Sequence, residues 1–198
     1  NNLISPLKVE YYSCTVNLTF VTFAVLNNSI MTEFQKYIQR YLDLVPSENW
    51  VEELKNSGEK TLKIYSDLSE EQSNFAYAEG KWTLKELLQH LIDAERIFIY
   101  RALRFSRNDQ TELSGWDEEF YAKEYFLDQI SLKNLMEEFE FLRKSNLLFF
   151  ENLNQELLSR KGVANGNEIS VETLGKLIVG HNLHHLNIIE ERYFPNLN

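Results

Sequence analysis

Thr83-Leu84-Lys85-Glu86-Leu87-Leu88-Gln89-His90-Leu91-Ile92-Asp93-Ala94-Glu95-Arg96 is the stretch that decides the fold. Thr83 followed by Glu86 is a capping box, in which each side chain satisfies a backbone N–H left open at a helix start. Leu84, Leu87, Leu88, Leu91, Ala94, Phe98, Ala102 and Phe105 then recur at helical spacing and form one apolar side. His90 lies on the edge of that side, near Ala94 and Ile97. Upstream, Tyr77 to Lys81 is a break. Before it, Ser47 is a candidate N-cap for a stripe of Trp50, Leu54, Ser57, Thr61, Ile64, Tyr65 and Leu68. Downstream, a polar stretch from Asn108 to Gly115 leads into Trp116-Asp117-Glu118-Glu119-Phe120-Tyr121, read as a short helix or lid. Ser131 caps a third helix with Leu132, Leu135, Met136, Phe139, Leu142, Phe149 and Leu153 inward. Lys161 to Asn167 reads as a turn, and Ser170 caps a last helix that Pro195 ends. Four long amphipathic helices predict an all-α fold, a four-helix bundle. The linkers exceed tight helix–helix turns, so a plain up-down-up-down order does not follow.

Composition agrees and narrows the function. The chain of 198 residues carries 43% hydrophobic and 25% charged residues, enough for one domain with a sizeable core. Seven glycines and three prolines are too few for a turn-rich all-β fold. A net charge of −10 argues against nucleic acid, whose phosphates need a basic face, and fits a cytoplasmic protein with no membrane partner. The single Cys14 excludes an internal disulfide and a cysteine-rich zinc site.

Residues 1–30 differ from the rest: Lys8 and Glu10 are their only charges, and Thr, Val and Phe dominate from Thr15 to Val21. As a secretory segment they lack a charged start and a small-residue cleavage site, and the apolar run is too short and polar to span a membrane. The reading is that 1–30 is a non-domain N-terminal extension, with 31–198 as the domain and Met31 as the natural start.

Three of the four histidines fall within five residues, in Gly180-His181-Asn182-Leu183-His184-His185. His181 and His185 are one helical turn apart and point the same way, into the stripe of Leu174, Leu177, Ile178 and Ile188. Two adjacent imidazoles in an apolar stripe need partners for their ring nitrogens, and a metal supplies one. His90, on the second helix, completes a triad. Three neutral imidazoles and an open fourth position suit a catalytic divalent metal such as zinc or nickel. His184 stands about 60° off the stripe centre and is read as edge packing or a neighbour of the ligands. Asp93, Glu95 and Arg96 read as a solvated helix face, with an orienting role for Asp93 as the alternative. A di-iron bundle needs Glu-x-x-His motifs, and none occurs here. In the zinc-protease pattern a general-base glutamate would stand where Asn182 is. The last helix carries a second apolar strip, Val179, Leu183 and Leu186, which offers a surface for a connecting segment or for a homodimer.

The block from Gly80 to Arg96 and the ending Gly180-His181-Asn182-Leu183-His184-His185-Leu186-Asn187-Ile188-Ile189 resemble the DinB superfamily, the DinB/YfiT-like metalloenzymes. Leu113 to Glu118 and Gly162 to Val171 are similar to further blocks of that family, so the likeness spans about Pro46 to Pro195. It implies a four-helix bundle in up-down-down-up order, with a divalent metal held at the positions of His90, His181 and His185. It also implies small-molecule chemistry, most directly a thiol-dependent S-transferase using a low-molecular-weight thiol on a small electrophile. A metal-dependent hydrolase is the nearest alternative, and a non-catalytic, metal-stabilised stress-response binding module is the other class.

Overall fold

The computed structural model describes residues 31–197. The expectation of an extension at residues 1–30 lies outside the described residues, and so does Cys14. The helices run in the order α1 (Glu33–Leu42), α2 (Trp50–Ser66), α3 (Glu70–Ser73), α4 (Leu84–Ser106), α5 (Glu118–Glu124), α6 (Leu132–Glu151), α7 (Gln155–Ser159) and α8 (Val171–Ile188). A hairpin of β1 (Lys161–Ala164) and β2 (Asn167–Ser170) precedes α8. The starts of the long helices follow from their caps. Thr83 and Glu86 form the capping box of α4, Ser131 accepts from Asn134 N on α6, and Ser170 accepts from Thr173 N on α8. Ser47 does not cap α2: the helix begins after Asn49, and the Ser47 hydroxyl turns toward Glu53.

The long helices α2, α4, α6 and α8 form the bundle, and contacts along them fix their directions. Trp50 lies against Gly175 and Thr61 bonds Asn182, so α2 and α8 run parallel. His90 meets His181 early in α4 but late in α8, so those two run antiparallel. On α6, Phe150 meets Trp50 edge-on while Arg143 donates to Leu54 O and Ser57 Oγ, so α6 runs antiparallel to α2. The order is therefore up-down-down-up. Two apolar clusters fill the interior. One surrounds Trp50, Leu54, Phe105, Phe150, Leu174 and Ile178, and the other surrounds Tyr65, Leu88, Ile92, Leu135, Phe139 and Leu186. Val179 and Leu186 are fully buried among these, and Leu183 packs against both clusters. The strip offered for a homodimer is thus covered by the chain itself.

Three features depart from the sequence reading. First, α1 is a separate helix, started by a capping box of Thr32 and Gln35, and it packs across α8. A Cβ on Gly180 would stand 2.0 Å from Tyr41 O, so only glycine admits this approach. Second, the segment 161–167 is no simple turn within an all-α fold. Asn165 (φ 50°) and Gly166 (φ 71°) sit at the left-handed corner of a two-residue hairpin turn. The preceding loop joins it, with Leu113 N on Val163 O at 3.0 Å and Asn165 N on Leu113 O at 2.9 Å. Third, α8 loosens into a π-helical turn at Ile189–Tyr193, and Pro195 falls in a later 3-10 turn.

Candidate metal centre

His90 from α4 and His181 and His185 from α8 come together near the middle of the bundle. Both Nε2 atoms of His90 and His185 lie 3.1 Å from His181 Nε2. The three rings can present one nitrogen each with all such atoms within 4.8 Å of one another. Among the described residues no carboxylate or further histidine joins this group. One Nε2 carries at most one proton, so the His181 nitrogen cannot donate to both neighbours. A cation shared by three lone pairs removes that conflict. Tetrahedral ligands about 2.0–2.1 Å from a zinc ion stand roughly 3.3 Å apart, close to the spacing here. The donor set therefore fits a divalent metal.

Aromatic rings wall the group off from water. Trp82 lies 4.6 Å and Trp116 5.9 Å from the His90 ring, centroid to centroid. Tyr41 and Phe98 approach His181 edge-on, at 5.6 and 6.0 Å. Burial is the main reason the imidazoles resist protonation. It lowers His90 from 6.5 to about 4, and it drives His181 and His185 well below their ordinary value, with the neighbouring rings adding to the effect. Neutral imidazoles are the form that binds a metal. Among the described residues His185 Nδ1 is buried with no hydrogen-bond partner.

The other residues singled out from the sequence stand outside the triad. His184 is half-buried, its ring 5.1 Å from that of His185 and 5.4 Å from that of Tyr41, on a cleft with Arg40 and Glu191. Asp93 accepts from Gln89 at 2.9 Å and lies 4.0 Å from Arg96, so it belongs to the helix face. Glu95 does not. It is buried, and Arg143 donates to both its oxygens at 2.8 to 3.1 Å. Asn182 faces this pair, accepting from Arg143 at 3.1 Å and donating to Thr61 at 2.9 Å.

A pocket of about 570 Å³ opens beside His181. Phe34, Tyr37 and Tyr41 of α1, Phe98 and Arg101 of α4, and Leu174 and Leu177 of α8 form its walls. The segment Trp116 to Glu119, at the start of α5, covers it as a lid. Glu118 borders this pocket and also the small cleft that reaches His90, while Glu119 borders the cleft that reaches His185. Burial, then the charges of Glu119 and Asp117, pushes the Glu118 carboxyl up. The α1 side of the pocket was not legible in the sequence, because α1 reaches it only through tertiary packing. Gly180 beside His181 was the one available hint of a close neighbour.

The profile of the DinB superfamily matches residues 53–189 of this sequence. No curated protein matches it. Among solved structures the chain is similar to YfiT from Bacillus subtilis, described as a probable metal-dependent hydrolase with an unusual four-helix bundle topology. The two are 18% identical, with a TM-score of 0.66 over 85% of this chain and 91% of the other. At that identity the likeness concerns the fold.

Proposed function

This chain belongs to the DinB superfamily, and from that premise we propose that it is a divalent-metal-dependent enzyme acting on a small molecule. The observation that carries the reading is the meeting of three imidazole nitrogens, 3.1 Å apart at two contacts, with His181 on the wall of an aromatic pocket. His90, His181 and His185 are the ligands, and zinc or nickel suits the set. A structural zinc site is normally closed by four protein ligands, whereas this group holds three among the described residues. That favours an enzyme over a module that is merely stabilised by its metal.

The chemistry is thiol-dependent S-transfer to a small electrophile. A divalent metal with an open position supplies Lewis acidity, lowering the pKa of a thiol or water placed there. Trp82, Trp116, Tyr41 and Phe98 keep water from the reacting end. Glu118 stands on the opening with no ion pair among the described residues, the position for accepting the proton that a thiol or water releases. Hydrolysis is the second reading, favoured by the description of YfiT.

No helix among the described residues is long and apolar enough to cross a membrane. A homodimer belongs to the same proposal, with exposed Phe141 and Leu148, seven residues apart on one face of α6, as its surface. The deciding experiment incubates zinc- or nickel-loaded protein with monochlorobimane and, in turn, glutathione, bacillithiol or mycothiol. Thiol-dependent conjugation, lost in His181→Ala, is the expected result. Ester hydrolysis without any thiol dependence would replace the transferase by the hydrolase.

A further inference from the structure

The pocket beside His181 has two unlike ends. Its floor is a run of Ala94, Phe98 and Arg101 on α4 facing Leu174, Leu177 and His181 on α8. Because α4 and α8 are antiparallel, the histidine end of one lies toward the start of the other, and Arg101 falls at the far end. The seven residues from Leu174 to His181 correspond to about 10 Å of helix. Glu118 and Glu119 both border clefts that reach the histidines, so the lid's carboxylates belong to the metal end. Between the ends the walls are Phe34, Ile38, Phe98, Leu174 and Leu177, with no charge.

Among the described residues Arg101 is the one cation on this wall. It is partly buried and makes one hydrogen bond, from Nη2 to Ser114 O at 2.9 Å. Among the described residues no carboxylate lies within ion-pairing distance of it. Burial lowers its pKa, with no acid to restore it. Its neighbour Arg104, one turn on, contrasts with it. Arg104 is paired with Asp109 and Tyr100 and lies off the pocket. A half-desolvated guanidinium with most of its five donors uncommitted, on an otherwise largely apolar wall, is built to receive an anion. Its planar fork matches a carboxylate through two parallel bonds.

We propose that Arg101 is an anion-recognition residue: it anchors the carboxylate of an elongated, mostly apolar substrate whose other end points toward the histidine group. The assignment deepens the enzyme reading above and rests on it for the reacting end. It names a substrate class, monoanionic small molecules with an aliphatic or aromatic body. It also gives the acidic lid a role, since Glu118 and Glu119 repel an anion from the metal end and so set the direction of binding.

The test is calorimetric titration of the full chain with 4-phenylbutyrate and with its uncharged twin 4-phenylbutyramide, in metal-free and zinc-treated protein. The carboxylate should bind at least about tenfold more tightly than the amide, a preference that Arg101→Gln abolishes while amide binding stays unchanged. Arg101→Lys should keep only part of the preference, because it keeps the charge but loses the fork. Equal binding of the two probes, no binding of either, or a preference that survives in Arg101→Gln would overturn the assignment. The metal arm separates this claim from the one beneath it. A carboxylate preference in protein that takes up no zinc sinks the metalloenzyme reading alone, and zinc uptake without the preference sinks the Arg101 assignment alone.

Discussion

Two polar clusters share helices α4 and α8, and they are built on opposite principles. Around Arg143 every donor is used. Its five N–H groups go to Glu95, Leu54 O, Ser57 and Asn182, so that α2, α4, α6 and α8 are tied at one point. Asn146 adds a bond to Glu95 at 3.0 Å, and Asn182 one to Thr61. Around His181 the nitrogens point at one another, and the only resource is their lone pairs. Charge is retained in the first cluster because it is paired and hydrogen-bonded. In the second it is suppressed by burial, and the imidazoles stay neutral. A cluster complete within the protein holds structure; a cluster that lacks a common partner has the donor set for a ligand. Asn182, next to His181 in sequence, belongs to the first and so fixes the helix that carries the second.

The contrast can be broken by removing one member of each. Glu95→Ala leaves Arg143 as an uncompensated buried charge and should cost about 3–5 kcal/mol, read from urea melts, with or without metal. A cost under about 1 kcal/mol would mean that the network is not what joins the helices. His185→Ala should act differently, removing only the stabilisation that added zinc confers. That amounts to about 2.7 kcal/mol at a hundredfold excess over Kd. If zinc shifts the melting of His185→Ala as much as that of the wild type, the triad is misassigned.

Acid should sharpen the same contrast in the metal-free protein. The folded-state pKa of His90 is lowered from 6.5 to about 4, so below pH 6.5 the unfolded chain binds protons that the folded chain refuses. Stability is then complete above pH 6.5 and falls as the pH drops toward 4. The melting temperature should decline by several degrees between pH 7 and 5. In a His90→Gln variant that decline should become shallower, and an unchanged slope would contradict the burial argument. The smallest effect expected is from deleting residues 1–30. Both clusters are built from residues 31–197, so melting temperature and metal content should stay as they are, and a marked loss of either would make that segment part of the fold.

Much of this architecture was legible in the chain because its signals are local. The capping residues Thr83, Ser131 and Ser170 each announce a helix within three positions, and the spacing of His181 and His185 needs nothing beyond helical geometry. The Arg143 network was not read, although its signal was of the same kind. Arg143 and Asn146 continue the stripe from Phe139 to Phe150 at helical intervals, so two polar residues stood at core positions. Treating that stripe as apolar passed over them, and Glu95 was placed on the solvated face for the same reason. The hairpin also had its cue in Asn165-Gly166, a dipeptide suited to a left-handed two-residue turn. Packing between distant segments left no such trace. The seat of α1 on α8 and the isolation of Arg101 depend on contacts that no local pattern encodes.

The central claim is that His90, His181 and His185 hold a metal, and elemental mass spectrometry of untagged protein beside a His90→Ala variant tests it most directly. The account predicts about one divalent ion per chain in the wild type, as a three-histidine site requires, and close to none in the variant. A folded wild type that stays metal-free after incubation with zinc or nickel, or a variant that keeps its metal, would contradict it.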